Sequence, residues 1–222
     1  MANTGLSGEY ISDAGLSFHM VCLHLLERAY CEVRANCSID KDWTENAISE
    51  ALKKGINDNE VAILMYITAS VEVRQLPESL SAMPLKVDDA PRIDIKVGGF
   101  DTRNATISRV CYYMEAKNLY ANDVKKSGHT SNVSSTYYAK RYISTGIDHL
   151  LSGYYPSNTI LLGYVLSGTV QAAVDKVNLN LMNDSRNKEI INLQVFTEYP
   201  YLVLGTSDHH HGIRLDHCFL QF

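Results

Sequence analysis

No apolar run in the 222 residues approaches the roughly 18 that a membrane-spanning helix needs. No Cys-x-x-Cys pair occurs. The five cysteines, at 22, 31, 37, 111 and 218, are odd in number and scattered, a pattern of reduced thiols and not of a disulfide framework. The opening stretch, Met1 to Glu9, has neither the basic start nor the apolar centre of a secretory signal. These absences lead to the expectation of a cytoplasmic chain with no membrane partner. The Asn-x-Ser/Thr matches at Asn36, Asn104 and Asn132 then carry no weight. The Gly-x-x-x-x-Gly-Lys-Ser/Thr phosphate loop, the Gly-x-Gly-x-x-Gly fingerprint and the Gly-x-Ser-x-Gly elbow are also missing. Their absence weighs against nucleotide-hydrolysing, Rossmann and α/β-hydrolase chemistry. Positive charge is in deficit, with 20 Lys and Arg against 25 Asp and Glu and a net charge of -5. That argues against coating nucleic acid by bulk electrostatics.

What is present is a globular composition, 45% hydrophobic and 20% charged, of a length that suits one domain over residues 1–222. Apolar spacing predicts a helix over 16–33, with Phe18, Cys22, Leu25, Leu26, Ala29 and Val33 on one stripe and Leu16, Met20, Leu23 and Tyr30 beside it. Glu27 interrupts that second stripe and needs a partner, for which His24, Arg28 and Arg34 are nearby choices. A second helix is expected over 43–54, with Asp42 and Glu45 as a capping box and Gly55 as its stop. Residues 60–74 fit either a buried helix or a strand. Pro77, Pro84 and Pro91 mark a loop-rich stretch. Helices follow at 134–151 and 169–181, a doubly buried strand at 160–166, and three short strands at 190–196, 201–205 and 213–219. This is the element order of an α/β domain with a central mixed β-sheet flanked by helices.

The chemistry concentrates in two predicted strands. In 92–97, Ile93, Ile95 and Val97 point one way and Arg92, Asp94 and Lys96 the other. In 109–118, Tyr113, Glu115 and Lys117 share the face opposite Tyr112, Met114 and Ala116. Antiparallel pairing can bring Asp94 beside Glu115 and Lys117. Two carboxylates are hard oxygen ligands suited to Mg²⁺ or Mn²⁺, and a lysine next to them can orient a water or bind a phosphate. Three acid-x-lysine matches occur, at Asp94–Lys96, Glu115–Lys117 and Asp123–Lys125. Only the second ends a strand, has an acid on the preceding strand and is followed by a helix. Downstream, residues 117–141 carry Lys117, Lys125, Lys126, Lys140 and Arg141 against Asp123 alone. Eight of the fourteen tyrosines fall between Tyr112 and Tyr155, and these can stack on bases or pack the core.

This arrangement, an Asp on one strand and Glu-x-Lys on the next, resembles the PD-(D/E)XK nuclease superfamily, over residues 16–166. The resemblance implies a restriction endonuclease-like core, ordered helix, three strands, helix, strand, with residues 167–222 completing it. It implies a metal-dependent endonuclease acting on nucleic acid, with DNA as the expected substrate, in a restriction or antiviral defence setting. Asp94, Glu115 and Lys117 would be catalytic. Asp94, Glu115 and, from the first helix, Glu27 would hold Mg²⁺ or Mn²⁺. Lys140 and Arg141, together with Lys125 and Lys126, would contact the nucleic acid. The proline that often precedes the motif aspartate directly stands three residues before it here, at Pro91. A homodimer or a partner subunit of a defence complex would supply a second site. The alternative is an inactive nuclease-fold subunit that binds nucleic acid or assembles a complex. The run His209-His210-His211, near Asp208, Asp216 and His217, invites a zinc reading. Adjacent residues of an extended run diverge, so a polar turn between strands is the expectation there.

Overall fold

The computed structural model describes residues 18–74, 92–101, 108–156, 158–194 and 196–222. Leu16, the prolines at 77, 84 and 91, and Asn104 lie outside the described residues. Helix α1, Phe18–Asn36, buries Cys22, Leu25, Leu26, Ala29 and Val33 at three- and four-residue spacing, with Leu23 and Tyr30 buried beside them. Helix α2, Glu45–Asn57, starts later than its apolar pattern suggested. Thr44 is its N-cap, accepting the Ala47 amide at 3.2 Å. Asp42 is turned away, taking the amide and hydroxyl of Ser127 at 2.8 and 2.5 Å. Gly55 does not stop α2 but lies within it. A Cβ there would stand 2.9 Å from the Cβ of Ala29, so the residue permits a close α1–α2 crossing.

The ambiguous stretch resolves into both elements, a short helix α3, Glu60–Leu64, and strand β1, Thr68–Arg74. Strands β2, Arg92–Asp101, and β3, Ser108–Leu119, extend β1 as an antiparallel meander. Gly98 and Gly99 pair within β2, opposite Cys111 and Val110. A helical crossover leads on to β4, Thr159–Val165, which runs parallel to β3. The crossover consists of α4, Ser135–Tyr142, a π-helical turn Ile143–Ile147, and α5, Asp148–Leu151. All seven β4 residues are buried, as a strand covered on both faces requires. Helix α6, Val170–Asn183, precedes β5, Asn192–Gln194, β6, Val203–Asp208, and β7, Arg214–Gln221. The sheet order is β1-β2-β3-β4-β7-β6-β5, with β3–β4 and β4–β7 parallel and the other pairs antiparallel. The protein is therefore α/β, with a seven-stranded mixed sheet between helices.

The two faces of the sheet have separate cores. On one, Leu25, Leu26, Ile48, Leu52 and Ile56 of α1 and α2 meet Ile95, Val97, Met114, Ala116 and Leu162. On the other, Tyr142, Ile147, Val174 and Val177 meet Leu119, Leu161, Val165 and Phe219. The π-helical turn brings Gly146 onto the sheet, where a Cβ would stand 2.9 Å from Leu161. No described helix is long and apolar enough to cross a membrane.

Candidate active site

The β2–β3 ladder pairs Lys96 with Tyr113 and Ile95 with Met114. One further step in that register sets Asp94 level with Glu115. Strand alternation then puts Asp94, Tyr113, Glu115 and Lys117 on one face, while Ile95, Met114 and Ala116 enter the core on the other. The Asp94 carboxylate accepts the Ala116 amide at 2.7 Å, standing in for a ladder carbonyl where the paired stretch of β2 and β3 ends. Lys117 Nζ donates to Glu115 Oε1 and, at 3.0 Å, to the Ala116 carbonyl. Tyr155, from the turn after α5, donates its hydroxyl to the same Glu115 oxygen at 2.8 Å. Glu115 is 4% and Lys117 5% exposed. Glu115 Oε2 is buried with no hydrogen-bond partner.

Two carboxylates and one ammonium in so dry a place cannot all be charged at little cost. Burial first, and the nearby Glu115 second, push the Asp94 carboxyl up to about 7, against the pull of Lys117 and the Ala116 amide. Burial also pushes Glu115 up, opposed by Lys117 and the Tyr155 hydroxyl. Near neutral pH the Asp94 carboxyl is thus partly protonated. A divalent cation would release that proton and restore both carboxylates. Asp94 and Glu115 fit such an ion by donor type, and Glu115 Oε2 has a vacant lone pair to offer it. No group of three His, Cys, Asp or Glu forms a ready cage among the described residues.

The other expected residues are dispersed. Glu27 is buried on α1, where Oε1 accepts the amide of Tyr201 at 2.9 Å. Its charge acts on Cys31, Tyr199 and Cys218, while the charges bearing most on Asp94 are Glu115, Lys117 and Glu45. The partner of that oxygen lies 174 residues away in sequence, far beyond His24, Arg28 and Arg34. The helix carboxylate near the strand pair is instead Glu45, at the first turn of α2. It accepts the Asn118 amide at 2.9 Å and both terminal nitrogens of Arg141 at 3.0 Å each. Thr44, Glu45, Asn118, Lys126, Tyr138 and Arg141 border a cleft of about 320 Å³. Lys126 lies over the Tyr120 ring at 5.5 Å, Lys125 donates to the Thr130 carbonyl, and Lys140 is exposed. Asp123, of the third acid-x-lysine match, is occupied by the Ser135 amide and hydroxyl at 2.9 and 2.6 Å. Glu45 and Tyr155 escaped the sequence reading. An acid in a first helical turn is ordinary, and nothing local marks a tyrosine that reaches back 40 residues to Glu115.

The histidine run forms a turn between β6 and β7, as expected, but its first member is buried. His209 Nδ1 meets Glu189 at 2.6 Å, and its Nε2 meets Ser207 Oγ at 2.7 Å. Ser207 Oγ also meets His217 Nε2 at 2.8 Å, and His217 Nδ1 meets the Tyr142 hydroxyl at 2.9 Å. An ionised Glu189 only accepts, so His209 donates to it from Nδ1. One direction then serves every member: Tyr142 donates to His217, His217 to Ser207, Ser207 to His209 and His209 to Glu189. Ser207, His209 and Glu189 have the connectivity of a serine hydrolase triad. Ser207 is 0% exposed, however, and its hydroxyl is held from both sides, so no substrate reaches it.

No family model, curated protein or solved structure matches the chain.

Proposed function

We propose that the protein is a metal-dependent nuclease that hydrolyses phosphodiester bonds, with DNA as the expected substrate. The observation that carries this reading is the meeting of Asp94 and Glu115, from adjacent strands, in a buried niche with Lys117 and an unpartnered Glu115 oxygen. The order helix, antiparallel meander, helical crossover, parallel strand is also that of the restriction endonuclease-like core, and supports the same reading. In this reading Asp94 and Glu115 hold Mg²⁺ or Mn²⁺. Such an ion, when bound, lowers the pKa of a water and offsets charge on the phosphate. Lys117, freed from Glu115, orients the attacking water or holds a phosphate oxygen. Tyr155 keeps the Glu115 carboxylate in place. Arg141, at the cleft edge, exchanges Glu45 for a phosphate of the strand.

The test is cleavage of plasmid, linear DNA and RNA with Mg²⁺, Mn²⁺ or chelator, beside the Glu115→Ala/Lys117→Ala double variant. Metal-dependent products absent from the variant are the expected result. A folded double variant that cuts as well as the parent would refute the assignment. Absence of cutting by the parent on every substrate would leave the second reading, a nuclease-fold subunit of a multi-protein assembly. The closure of Lys117 onto Glu115 and of Arg141 onto Glu45 favours that reading to the extent that neither opens with metal.

A further inference from the structure

The turn that supplies Tyr155 carries a second feature that cleavage chemistry alone does not use. Helix α5 ends on Gly153, whose φ of +73° is open to glycine. Its amide returns to Leu150 at 3.1 Å and that of Tyr154 to His149 at 3.0 Å, a Schellman closure that folds the chain back over the helix end. The result is a cluster of three rings. His149 lies 4.6 Å from Tyr154 and 5.8 Å from Tyr155, and the two tyrosines are 5.0 Å apart. Tyr155 is buried with its hydroxyl on Glu115, whereas Tyr154 is 44% exposed. The outer ring of the cluster therefore faces solvent one residue from a direct ligand of the candidate catalytic carboxylate.

Polar groups around Tyr155 are left unsatisfied. His149 Nδ1, in ring contact with Tyr155, is buried without a partner, and so is Glu115 Oε2. Thr159 Oγ1 is a third such atom. Thr159 pairs with Tyr113, so it stands on the Glu115 face of the sheet, two residues along. Buried polar atoms without partners are uncommon and costly in folded proteins. Asp148, beside His149, is neutralised by Arg186 at 2.8 Å, so the approach to the rings carries no uncompensated carboxylate from α5.

We infer that the His149–Tyr154–Tyr155 cluster is a stacking platform for an unpaired nucleobase, so that the strand entering the Asp94–Glu115–Lys117 site is single-stranded or locally unwound. The inference rests on the nuclease reading for the identity of the ligand. A tyrosine ring that faces solvent stacks any base, because every base has a π-face. A continuous duplex keeps its bases stacked on each other and has none to give.

Binding tests this separately from cleavage. A labelled mixed-sequence DNA oligonucleotide is titrated with the whole protein in chelator and read by fluorescence anisotropy, alone and annealed to its complement. The expected result is tighter binding of the single strand, a loss of about ten-fold in Tyr154→Ala, and recovery in Tyr154→Trp. Equal affinity for both forms, or a single-strand preference unchanged in Tyr154→Ala, overturns the inference. Cleavage by the parent and by Glu115→Ala/Lys117→Ala, on the same two substrates with Mg²⁺, judges the nuclease reading by itself. If both proteins behave alike there, that reading fails, while the anisotropy still decides whether Tyr154 holds a base.

Discussion

Two buried polar clusters lie on the same face of the sheet, and they are built on opposite terms. In the histidine cluster every polar atom on the path from Tyr142 to Glu189 has a partner between 2.6 and 2.9 Å, in one consistent direction. Arg186 adds two bonds to Glu189, at 3.0 and 2.7 Å. The carboxylate cluster leaves Glu115 Oε2 empty, sets a second acid beside Glu115, and holds one lysine for the two. A satisfied network of this kind joins elements far apart in sequence and contributes stability. An unsatisfied one costs stability, and a ligand that supplies the missing contact would recover it. The missing partner at Glu115 Oε2, not acidity alone, is what distinguishes the carboxylate cluster.

The sharpest way to break this comparison is to remove one acid from each cluster. Glu189→Ala strands His209 and half of Arg186 in the interior, and is expected to cost about 3–5 kcal/mol in urea unfolding. Glu115→Gln removes charge from an overcrowded site and keeps an acceptor for Tyr155 and Lys117. Its stability should stay within about 1 kcal/mol of the parent, while metal-dependent cleavage falls to the chelator background. Equal destabilisation by the two substitutions would mean that both clusters are structural.

Metal should act on one cluster only. An ion that binds the folded chain stabilises it by about 2.7 kcal/mol when present at 100 times its Kd. Thermal unfolding of the parent should therefore shift upward with Mn²⁺ or Mg²⁺. Neither Asp94→Asn nor Glu115→Gln should respond, and Ser207→Ala should respond like the parent.

The clusters also titrate with opposite signs in metal-free buffer. Burial, with His209 nearby, pushes His217 down to about 3. Between pH 6.5 and 3 the unfolded chain binds a proton there that the fold refuses, so stability falls on acidification, by about 1 kcal/mol from pH 6.5 to 5.5. Asp94, raised to about 7, behaves in reverse. Between its ordinary value and 7 the fold holds a proton that the unfolded chain has released, so acidification across the same interval adds stability of like size. The two nearly cancel in the parent. Asp94→Asn removes one of them and should lose stability visibly more steeply than the parent from pH 6.5 to 5.5. Parallel profiles would show that Asp94 is an ordinary surface acid.

How much of this could be read in the sequence follows from the range of each interaction. Alternation in β2 and β3 depends only on neighbours in the chain, so the shared face of Asp94, Glu115 and Lys117 was legible, as was the mixed sheet. The capping of α2 was not, because Thr44 and Asp42 are both able caps and only the Ser127 loop, 85 residues on, removes Asp42. Gly55 resembled a helix stop until Ala29 supplied another reason for a glycine. Tyr155, Glu45 and the Ser207–His209–His217 junction depend on which helix crosses which strand, and no periodicity encodes that.

The smallest expected effect is also the one that separates the two helix glutamates. Glu27 sits in an apolar helix stripe, as a metal-completing carboxylate would, yet its oxygen serves the Tyr201 amide. Glu27→Gln keeps an amide oxygen for that bond, so the stability change should be under about 1 kcal/mol, with cleavage and the metal-induced thermal shift unaltered. Glu45 directs its charge at Asp94 and Glu115 and is itself held by Arg141. Glu45→Gln weakens the negative potential that draws a cation to the niche and loosens Arg141, and is expected to lower metal affinity by about 10-fold, the effect of an outer partner of a metal ligand. Metal titration of the two variants side by side decides between them. A loss of affinity in Glu27→Gln with none in Glu45→Gln would move the third carboxylate back to α1, and would require α1 to shift against the sheet when the ion binds.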